Sequence, residues 1–296
     1  MEGIKMRARF RNEALDQQFE KDGYVLIRNF VNADQVSKML GVFNETYADP
    51  SSKCNLWNHL GLLSESERMA VSERLMEHIR PSVEKHFYDC ETFFSFFLTK
   101  PTNQPPTEVP IHSDSSALDE GKYEYLTTWM PLIDVTRKNG CLYVIPRSKG
   151  IISYCQPLTL EFPYPGVIKS LKRYAVDIPM KAGDLLIFSS KTLHGSYPNR
   201  SQNPRPAIQS VLLYPKVEIF YHYYDKEKNL INTYQVDNWF YLKNQFEEPV
   251  GKYPLKASFT YSPPPLSVDD IKKYYAKNPV KIKNFSGFLR RIGINV

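Results

Sequence analysis

Cysteine and long apolar runs are both scarce in this sequence. The 296 residues include only four Cys, which are scattered and form no Cys-x-x-Cys pair. Neither a disulfide framework nor a cysteine-based zinc site is therefore expected. No apolar run approaches the roughly 18 residues of a membrane-spanning helix. The opening residues 1–13 also lack the apolar stretch of a secretory signal. Together these absences predict a reduced, cytoplasmic protein.

Acidic residues are absent from one end of the chain. The formal net charge is +6, from 38 Lys and Arg against 32 Asp and Glu. Residues 272–296 contain seven of the basic residues and no acidic one, which leaves 31 basic against 32 acidic residues elsewhere. The rest of the chain is thus nearly neutral and predicts no nucleic-acid-binding face. We expect 263–296 to be a basic C-terminal appendage, either a helix packed on the domain or a means of attachment to an acidic surface.

Helical signals are confined to the first part of the chain. Asn32 with Gln35, and Ser64 with Glu67, have the spacing of capping boxes at the starts of helices. The helix that begins after Ser64 is expected to end before Pro81, because proline removes a helical hydrogen bond.

Strand signals begin near residue 90. The chain has 20 Tyr, 17 Phe, 3 Trp and 22 Pro, a composition that favours a β-dominated core. Short aromatic and β-branched segments alternate with turn signals such as Asn139-Gly140. Helices followed by strands predict a β-sandwich or jelly roll with N-terminal helices packed on it, α+β overall. The predicted strands are 24–27, 92–99, 123–135, 141–145, 174–178, 184–188 and 207–214.

A single domain is predicted for residues 1–262. It divides into a helical part at about 10–90, a β core at about 91–215 and an aromatic-rich extension at 216–262. The extension is either an additional packing layer or a lid or wall over a pocket.

Two histidines and one aspartate have the pattern of a metal site. His112 and Asp114 form a His-x-Asp pair, and residues two apart on a strand project to the same side. His194, which follows a predicted strand, is the best candidate for a third ligand. Two imidazoles and one carboxylate leave three positions of an octahedral metal open, the arrangement of non-haem Fe(II) oxygenases. The same ligands also suit zinc.

An arginine and a serine close to His194 in the sequence favour Fe(II) over zinc. Arg205 can hold the distal end of a dicarboxylate through two parallel hydrogen bonds, and Ser196 can donate a third. The two residues therefore indicate a chelating keto-acid at the open metal positions. Zinc chemistry does not require them.

Several further segments share the order and spacing of a known family. Over most of residues 18–214 the chain resembles the phytanoyl-CoA dioxygenase-like Fe(II)/2-oxoglutarate-dependent oxygenases. Besides the His-x-Asp pair and Arg205, the segments that carry the resemblance are DGYVLIRNF at 22–30, Trp129 with PLID at 131–134, NGCLYVIP at 139–146, GDLLIF at 183–188 and HGSYPNRS at 194–201.

The resemblance implies a double-stranded β-helix with a metal inside its mouth. It also implies Fe(II), with 2-oxoglutarate and O2 as cosubstrates. The residues that it assigns are His112, Asp114 and His194 as catalytic iron ligands, Arg205 and Ser196 on the distal carboxylate of 2-oxoglutarate, and Trp129 beside that cosubstrate. As an alternative, Trp129 is simply a core residue.

One departure from the family is visible in the loop at 146–149. Family members commonly have Pro-Gly-Ser-His where this chain has Pro146-Arg147-Ser148-Lys149. Any role of that histidine is therefore in doubt here. The departure also places two cations on a loop that either borders the pocket or is a solvated turn.

The expected function is oxidation of an unactivated C–H bond in a small molecule, with conversion of 2-oxoglutarate and O2 to succinate and CO2. Hydroxylation is the leading reaction, while desaturation, cyclisation and epimerisation stay open. The alternatives are a non-oxidative divalent-metal hydrolase or isomerase, and a catalytically silent binding protein. Candidate substrate contacts are the aromatic extension, the loop at Trp57 and His59, and, for an anionic group, Lys100, Lys122, Arg147 and Lys149.

Overall fold

The computed structural model describes residues 9–47, 63–102, 107–120, 122–151, 155–244 and 247–280. Its helices are α1 (Glu13–Asp22), α2 (Ala33–Thr46), α3 (Glu65–His86), α4 (Ile168–Leu171), α5 (Phe240–Lys243) and α6 (Val268–Lys277). Its strands are β1 (Tyr24–Ile27), β2 (Glu91–Lys100), β3 (Val109–His112), β4 (Leu126–Pro131), β5 (Leu142–Val144), β6 (Val176–Ile178), β7 (Leu185–Ser189), β8 (His194–Ser196), β9 (Arg205–Leu213), β10 (Ile219–Asp225), β11 (Leu230–Val236) and β12 (Leu255–Thr260).

Two antiparallel sheets face each other and form the centre of the molecule. The five-stranded sheet has the order β1-β7-β4-β9-β2, and the four-stranded sheet has the order β3-β8-β5-β6. Leu142 and Val144 of the four-stranded sheet share one apolar cluster with Trp129, Leu186 and Phe188 of the five-stranded sheet. This arrangement is the jelly-roll core that the sequence predicts.

The five-stranded sheet is covered on both faces. Alternate residues of β7 belong to different clusters: Leu185 and Ile187 pack with the N-terminal helices, while Leu186 and Phe188 face the other sheet. Because successive side chains of a strand point to opposite faces, every residue of β7 is buried. The predicted packing of N-terminal helices on a β core is therefore confirmed.

Both predicted capping boxes are present at the starts of α2 and α3. The predicted end of α3 before Pro81 is wrong, since the helix continues to His86. Ile79 and Val83, on either side of the proline, are both 2% exposed. We attribute the continuation to this packing, which compensates for the lost helical hydrogen bond.

The aromatic-rich extension contains a third, three-stranded sheet of order β10-β11-β12. The sequence does not predict these strands, because consecutive aromatic residues hide the alternation that marks a strand. The strand that the sequence predicts over 123–135 is shorter in the structure, Leu126–Pro131.

Helix α6 packs on the outer face of the four-stranded sheet. Ile271 and Tyr275 are buried there with Ile145 and Leu171. The hydroxyl of Tyr275 donates a hydrogen bond to the carbonyl of Pro146 at 3.0 Å. Residues 281–296 of the basic segment lie outside the described residues, and the domain boundary at 262 stays a prediction. In the described part of the chain, no helix has the length and apolar character needed to cross a membrane.

Candidate metal centre

The structure brings His112, Asp114 and His194 together. His112 ends β3 and lies directly opposite His194, the first residue of β8, with ring centroids 4.3 Å apart. One potential ligand atom from each of the three residues lies within 4.8 Å of the other two. His194 Nε2 and Asp114 Oδ1 are 3.7 Å apart. Three side chains with this spacing can bind a single ion.

An irregularity in the β3–β8 pairing determines where His112 points. Val109 pairs with Ser196 and His112 with His194, so β3 contains one residue more than β8 between the two pairs. Such a β-bulge turns the following side chain onto a different face. Because opposite residues project to the same side of a sheet, the bulge is what places His112 on the face of His194.

Both imidazole rings are held by backbone carbonyls. His112 Nδ1 lies 2.9 Å from the carbonyl oxygen of Pro110, and His194 Nδ1 lies 2.9 Å from that of Thr192. Since a carbonyl can only accept, each Nδ1 carries the proton and each Nε2 keeps a free lone pair for a metal. Burial, with the neighbouring His112, lowers the pKa of His194 to about 4. His194 is therefore neutral at neutral pH, as metal binding requires.

Asp114 is oriented from two directions. Its backbone N–H donates to the carbonyl of Ser190 at 2.9 Å. Its Oδ2 accepts a hydrogen bond from the hydroxyl of Thr127, which lies on β4 of the opposite sheet. Oδ1, the oxygen nearer His194, is thereby directed towards the candidate metal position.

Arg205, at the start of β9, is a buried cation. Its side chain is 1% exposed, and its guanidinium lies 4.9 Å from the centroid of the Trp129 ring. Nη1 makes a long hydrogen bond of 3.4 Å to the carbonyl of Leu98, and Nε has no partner among the described residues. Burial lowers the pKa of Arg205 to about 9. A buried guanidinium with unused donors fits an anion brought by a ligand, since an unpaired buried charge is otherwise costly.

Ser196 shares the face of β8 that carries His194. The two residues are two apart on the strand, so their side chains project to the same side. Gly195 between them lies tight against β3 and β5, because a Cβ there would be 2.7 Å from the Val109 carbonyl oxygen and 2.3 Å from Tyr143 Oη. No larger residue fits this position without movement of the neighbouring strand.

Lys100 has a structural place that the sequence did not indicate. It is fully buried, and its Nζ donates to the carbonyl of Tyr197 at 2.6 Å and also to that of Thr107. It pairs with Arg205 across β2 and β9. Burial, with the charge of Arg205, lowers the pKa of Lys100 to about 6. Lys100 therefore supports the backbone after β8, and no pattern marks a lysine at a strand end as buried.

The loop at 146–149 is held by acidic residues and does not border the pocket. Arg147 adopts a left-handed conformation with φ of 63°, where the family commonly has glycine, and it pairs with Asp22. The hydroxyl of Ser148 accepts a hydrogen bond from the backbone N–H of Leu193 at 2.8 Å, directly before His194. Lys149 pairs with Glu20.

The remaining candidates for substrate contact lie in different parts of the chain. Lys122 pairs with Asp119 on the surface and is not among the residues that line the pocket. Trp57 and His59 lie outside the described residues. The extension lines a cavity beside the histidines through Ile219 and Tyr241, so it serves both as a packing layer and as a pocket wall.

Comparison with known proteins identifies the family. Residues 19–207 match the family model described as phytanoyl-CoA dioxygenase. The chain belongs to this family. Because the phytanoyl-CoA dioxygenase family consists of Fe(II)/2-oxoglutarate-dependent oxygenases, the predicted class and cofactors are confirmed at the level of the family.

Two relatives are similar to parts of this chain. Phytanoyl-CoA dioxygenase 1 of Oryza sativa subsp. japonica is 30% identical over 105 residues, which are 34% of this chain and 37% of the rice protein. The chain thus aligns with little more than a third of that relative. The 1-deoxypentalenic acid 11-beta-hydroxylase of Streptomyces arenae is 26% identical over 223 residues, which are 65% of this chain and 76% of the hydroxylase.

A solved structure shares the fold. The epimerase SnoN in complex with Fe3+, alpha ketoglutarate and nogalamycin RO is 20% identical, with a TM-score of 0.51. The match covers 82% of this chain and 97% of SnoN. This likeness confirms the predicted double-stranded β-helix.

Proposed function

We propose that this chain is an Fe(II)/2-oxoglutarate-dependent dioxygenase that oxidises an unactivated C–H bond of a small molecule. His112, Asp114 and His194 are the proposed iron ligands. Arg205 and Ser196 hold the distal carboxylate of 2-oxoglutarate, and Trp129 lies beside that cosubstrate. The observation that carries the proposal is the pairing of a three-residue ligand cluster with a buried guanidinium that has unused donors.

The overall reaction balances without a further reductant. The substrate C–H, 2-oxoglutarate and O2 become the substrate C–OH, succinate and CO2. Iron bound at this site would supply the activation of O2. The contribution of the chain is to provide three ligands for the metal, hold the cosubstrate by its far end, and orient the target carbon away from water.

The type of oxidation is less constrained than the class. A relative that is 26% identical is named a hydroxylase, and SnoN, an epimerase, shares the fold. Asp114 keeps a carboxylate at the position that a halogenase would need for chloride, so halogenation is disfavoured. We propose hydroxylation as the leading reaction. The non-oxidative hydrolase or isomerase is disfavoured because it gives Arg205 no role.

A spectroscopic titration tests this proposal directly. Fe(II) and then 2-oxoglutarate are added anaerobically to the purified protein, and the visible spectrum is recorded. The expected result is a weak metal-to-ligand charge-transfer band that is absent in Asp114→Ala and His194→Ala and needs far more 2-oxoglutarate in Arg205→Ala. His78→Ala, which removes a histidine from the surface of α3, is the matched control and should keep the band. No band in the wild type, with tight zinc binding instead, would overturn the proposal.

The location and partners are also proposals. The scattered cysteines favour a cytoplasmic location. A small-molecule substrate, and not nucleic acid, is favoured by the nearly neutral charge outside the C-terminal segment.

A further inference from the structure

A cavity of about 490 Å³ extends from the candidate metal centre. His112 and Asp114 line one end of it, and Tyr241 of α5 lines another part of the wall. Small-molecule pockets commonly have volumes of about 300–1,000 Å³. The cavity therefore has the size and the position of a substrate site.

Three aromatic rings form one wall of this cavity. The rings of Phe96, Phe94 and Tyr241 follow one another with centroids 5.8 and 6.1 Å apart and with planes inclined by only 25° and 24°. The hydroxyl of Tyr241 donates to the carbonyl of Phe220 at 2.6 Å, so its polar atom is already used. Leu118 and Val211 add aliphatic surface. The wall thus offers apolar contact with little hydrogen-bonding capacity.

The described residues that line the cavity include no cationic side chain. None of them is Lys or Arg. The carboxylates are those of Asp114 in the metal cluster and of Glu161, which is exposed. Lys122, Arg147 and Lys149, candidates for contact with an anion, pair with acidic side chains elsewhere. An anionic group held against these residues would therefore lose its hydration without gaining a counter-charge from any described lining side chain.

We propose that the substrate site takes an uncharged small molecule with a hydrophobic carbon skeleton. The skeleton lies against the rings of Phe94, Phe96 and Tyr241, with the C–H bond to be oxidised facing His112 and Asp114. This inference rests on the proposed function for the identity of the reaction. The preference for uncharged ligands is a property of the cavity and is measurable without turnover.

Two matched ligand series test the preference. One series is adamantan-1-ol, adamantane-1-carboxylate and 1-adamantylammonium, and the other is decan-1-ol, decanoate and decylammonium. Binding is measured by calorimetry at pH 7.5, with Fe(II) and saturating 2-oxoglutarate under anaerobic conditions and again without either. The alcohol of at least one series is expected to bind at least tenfold tighter than its carboxylate and its ammonium, which is about 1.4 kcal/mol.

One substitution in the wall should change the preference. Leu158 lines the cavity and is only half-buried, so a lysine there keeps contact with water. Leu158→Lys supplies the missing cation and is expected to tighten binding of the carboxylate at least tenfold relative to the alcohol. Leu158→Met has a similar length without charge and should retain the wild-type order.

The aromatic wall has its own test. Phe94→Leu is expected to weaken binding of the alcohols severalfold. Phe259→Leu, on the exposed strand β12, should leave their binding unchanged. If in neither series the alcohol binds at least tenfold tighter than both its carboxylate and its ammonium, or if no alcohol binds, the inference is overturned. The charge-transfer band would persist in that case, so the proposed function would stand. Loss of the charge-transfer band with the alcohol preference intact would instead overturn the proposed function and leave the ligand preference of the cavity standing.

Discussion

Replacing Arg205 with methionine is expected to stabilise the free protein. The guanidinium is buried without a carboxylate partner among the described residues, and burial lowers its pKa to about 9. A depression of this size corresponds to a cost of roughly 3–5 kcal/mol, which is fully present at pH 7, where both the folded and unfolded states are protonated. Contact with the Trp129 ring returns about 1–2 kcal/mol. Methionine removes both effects, so a net gain of about 1–4 kcal/mol is expected.

The same substitution is expected to abolish most of the affinity for 2-oxoglutarate. Removing one partner of a buried, hydrogen-bonded charge pair costs about 2–5 kcal/mol, much of it from the charge left behind. The dissociation constant of 2-oxoglutarate should therefore rise about 100-fold or more. In the wild type, 2-oxoglutarate at 100 times its dissociation constant should stabilise the protein by about 2.7 kcal/mol. At the same concentration the variant should gain almost nothing.

Thermal unfolding with and without 2-oxoglutarate measures both effects in one experiment. With Fe(II) present under anaerobic conditions, Arg205→Met without cosubstrate should unfold about 2–6 °C above the wild type, and the addition of 2-oxoglutarate should raise only the wild type. Arg200→Met, which removes an exposed guanidinium nearby, is the control and should change neither value. A variant that is less stable than the wild type and still stabilised by 2-oxoglutarate would refute the assignment of Arg205.

Three further predictions concern residues around the site. Thr127→Val removes the hydrogen bond to Asp114 and should weaken Fe(II) binding about 10- to 100-fold in a competition titration. Thr128→Val, on the same strand, should not weaken it. Equal effects of the two substitutions would exclude a specific role of Thr127 in orienting Asp114. Gly195→Ala should lower the free energy of unfolding in urea by about 1–3 kcal/mol, because the added Cβ meets the backbone of β3. Gly41→Ala, in open space on α2, should raise it by about 0.5–1 kcal/mol. A change of the same sign in both variants would contradict the packing argument. Lys100→Met should flatten the dependence of stability on pH. The folded-state pKa of Lys100 is lowered to about 6, so the unfolded state binds more protons above that pH. Wild-type stability should therefore rise with pH by up to about 1.4 kcal/mol per pH unit relative to the variant. Parallel stability-against-pH curves for the two proteins between pH 6.5 and 9 would refute this.

Local sequence signals were sufficient for the helix starts and for the chemistry of the site. The capping boxes at Asn32 and Ser64 depend on side chains three residues apart, so they could be read directly. The grouping of His112, Asp114 and His194 could be predicted because a metal site demands particular residue types, and the structure brings the three together. Their role as ligands stays a proposal.

The features that could not be predicted depend on packing between distant segments. Pro81 lies inside α3 because of the apolar surface beneath it, and the sequence around the proline gives no sign of that surface. The sequence makes Lys100 a candidate for contact with an anion, but Lys100 is buried against a backbone carbonyl of the chain after β8. The left-handed conformation of Arg147 is compatible with its contacts to Asp22, 125 residues earlier. Each of these outcomes is decided by tertiary contacts.

The extra residue in β3 makes the chemistry of the site depend on how β3 and β8 pair as well as on residue type. Without the bulge between Val109 and His112, the residue opposite His194 would be Ile111, and the imidazole would project from the other face of the sheet. Deleting Pro110 alone would leave one residue between Val109 and His112, as there is between Ser196 and His194, so His112 would stay opposite His194 without any bulge. A single-codon deletion there is therefore expected to be far less harmful to metal binding than the loss of a histidine. For the same reason, an alignment with a one-residue gap between 109 and 112 is compatible with an intact site.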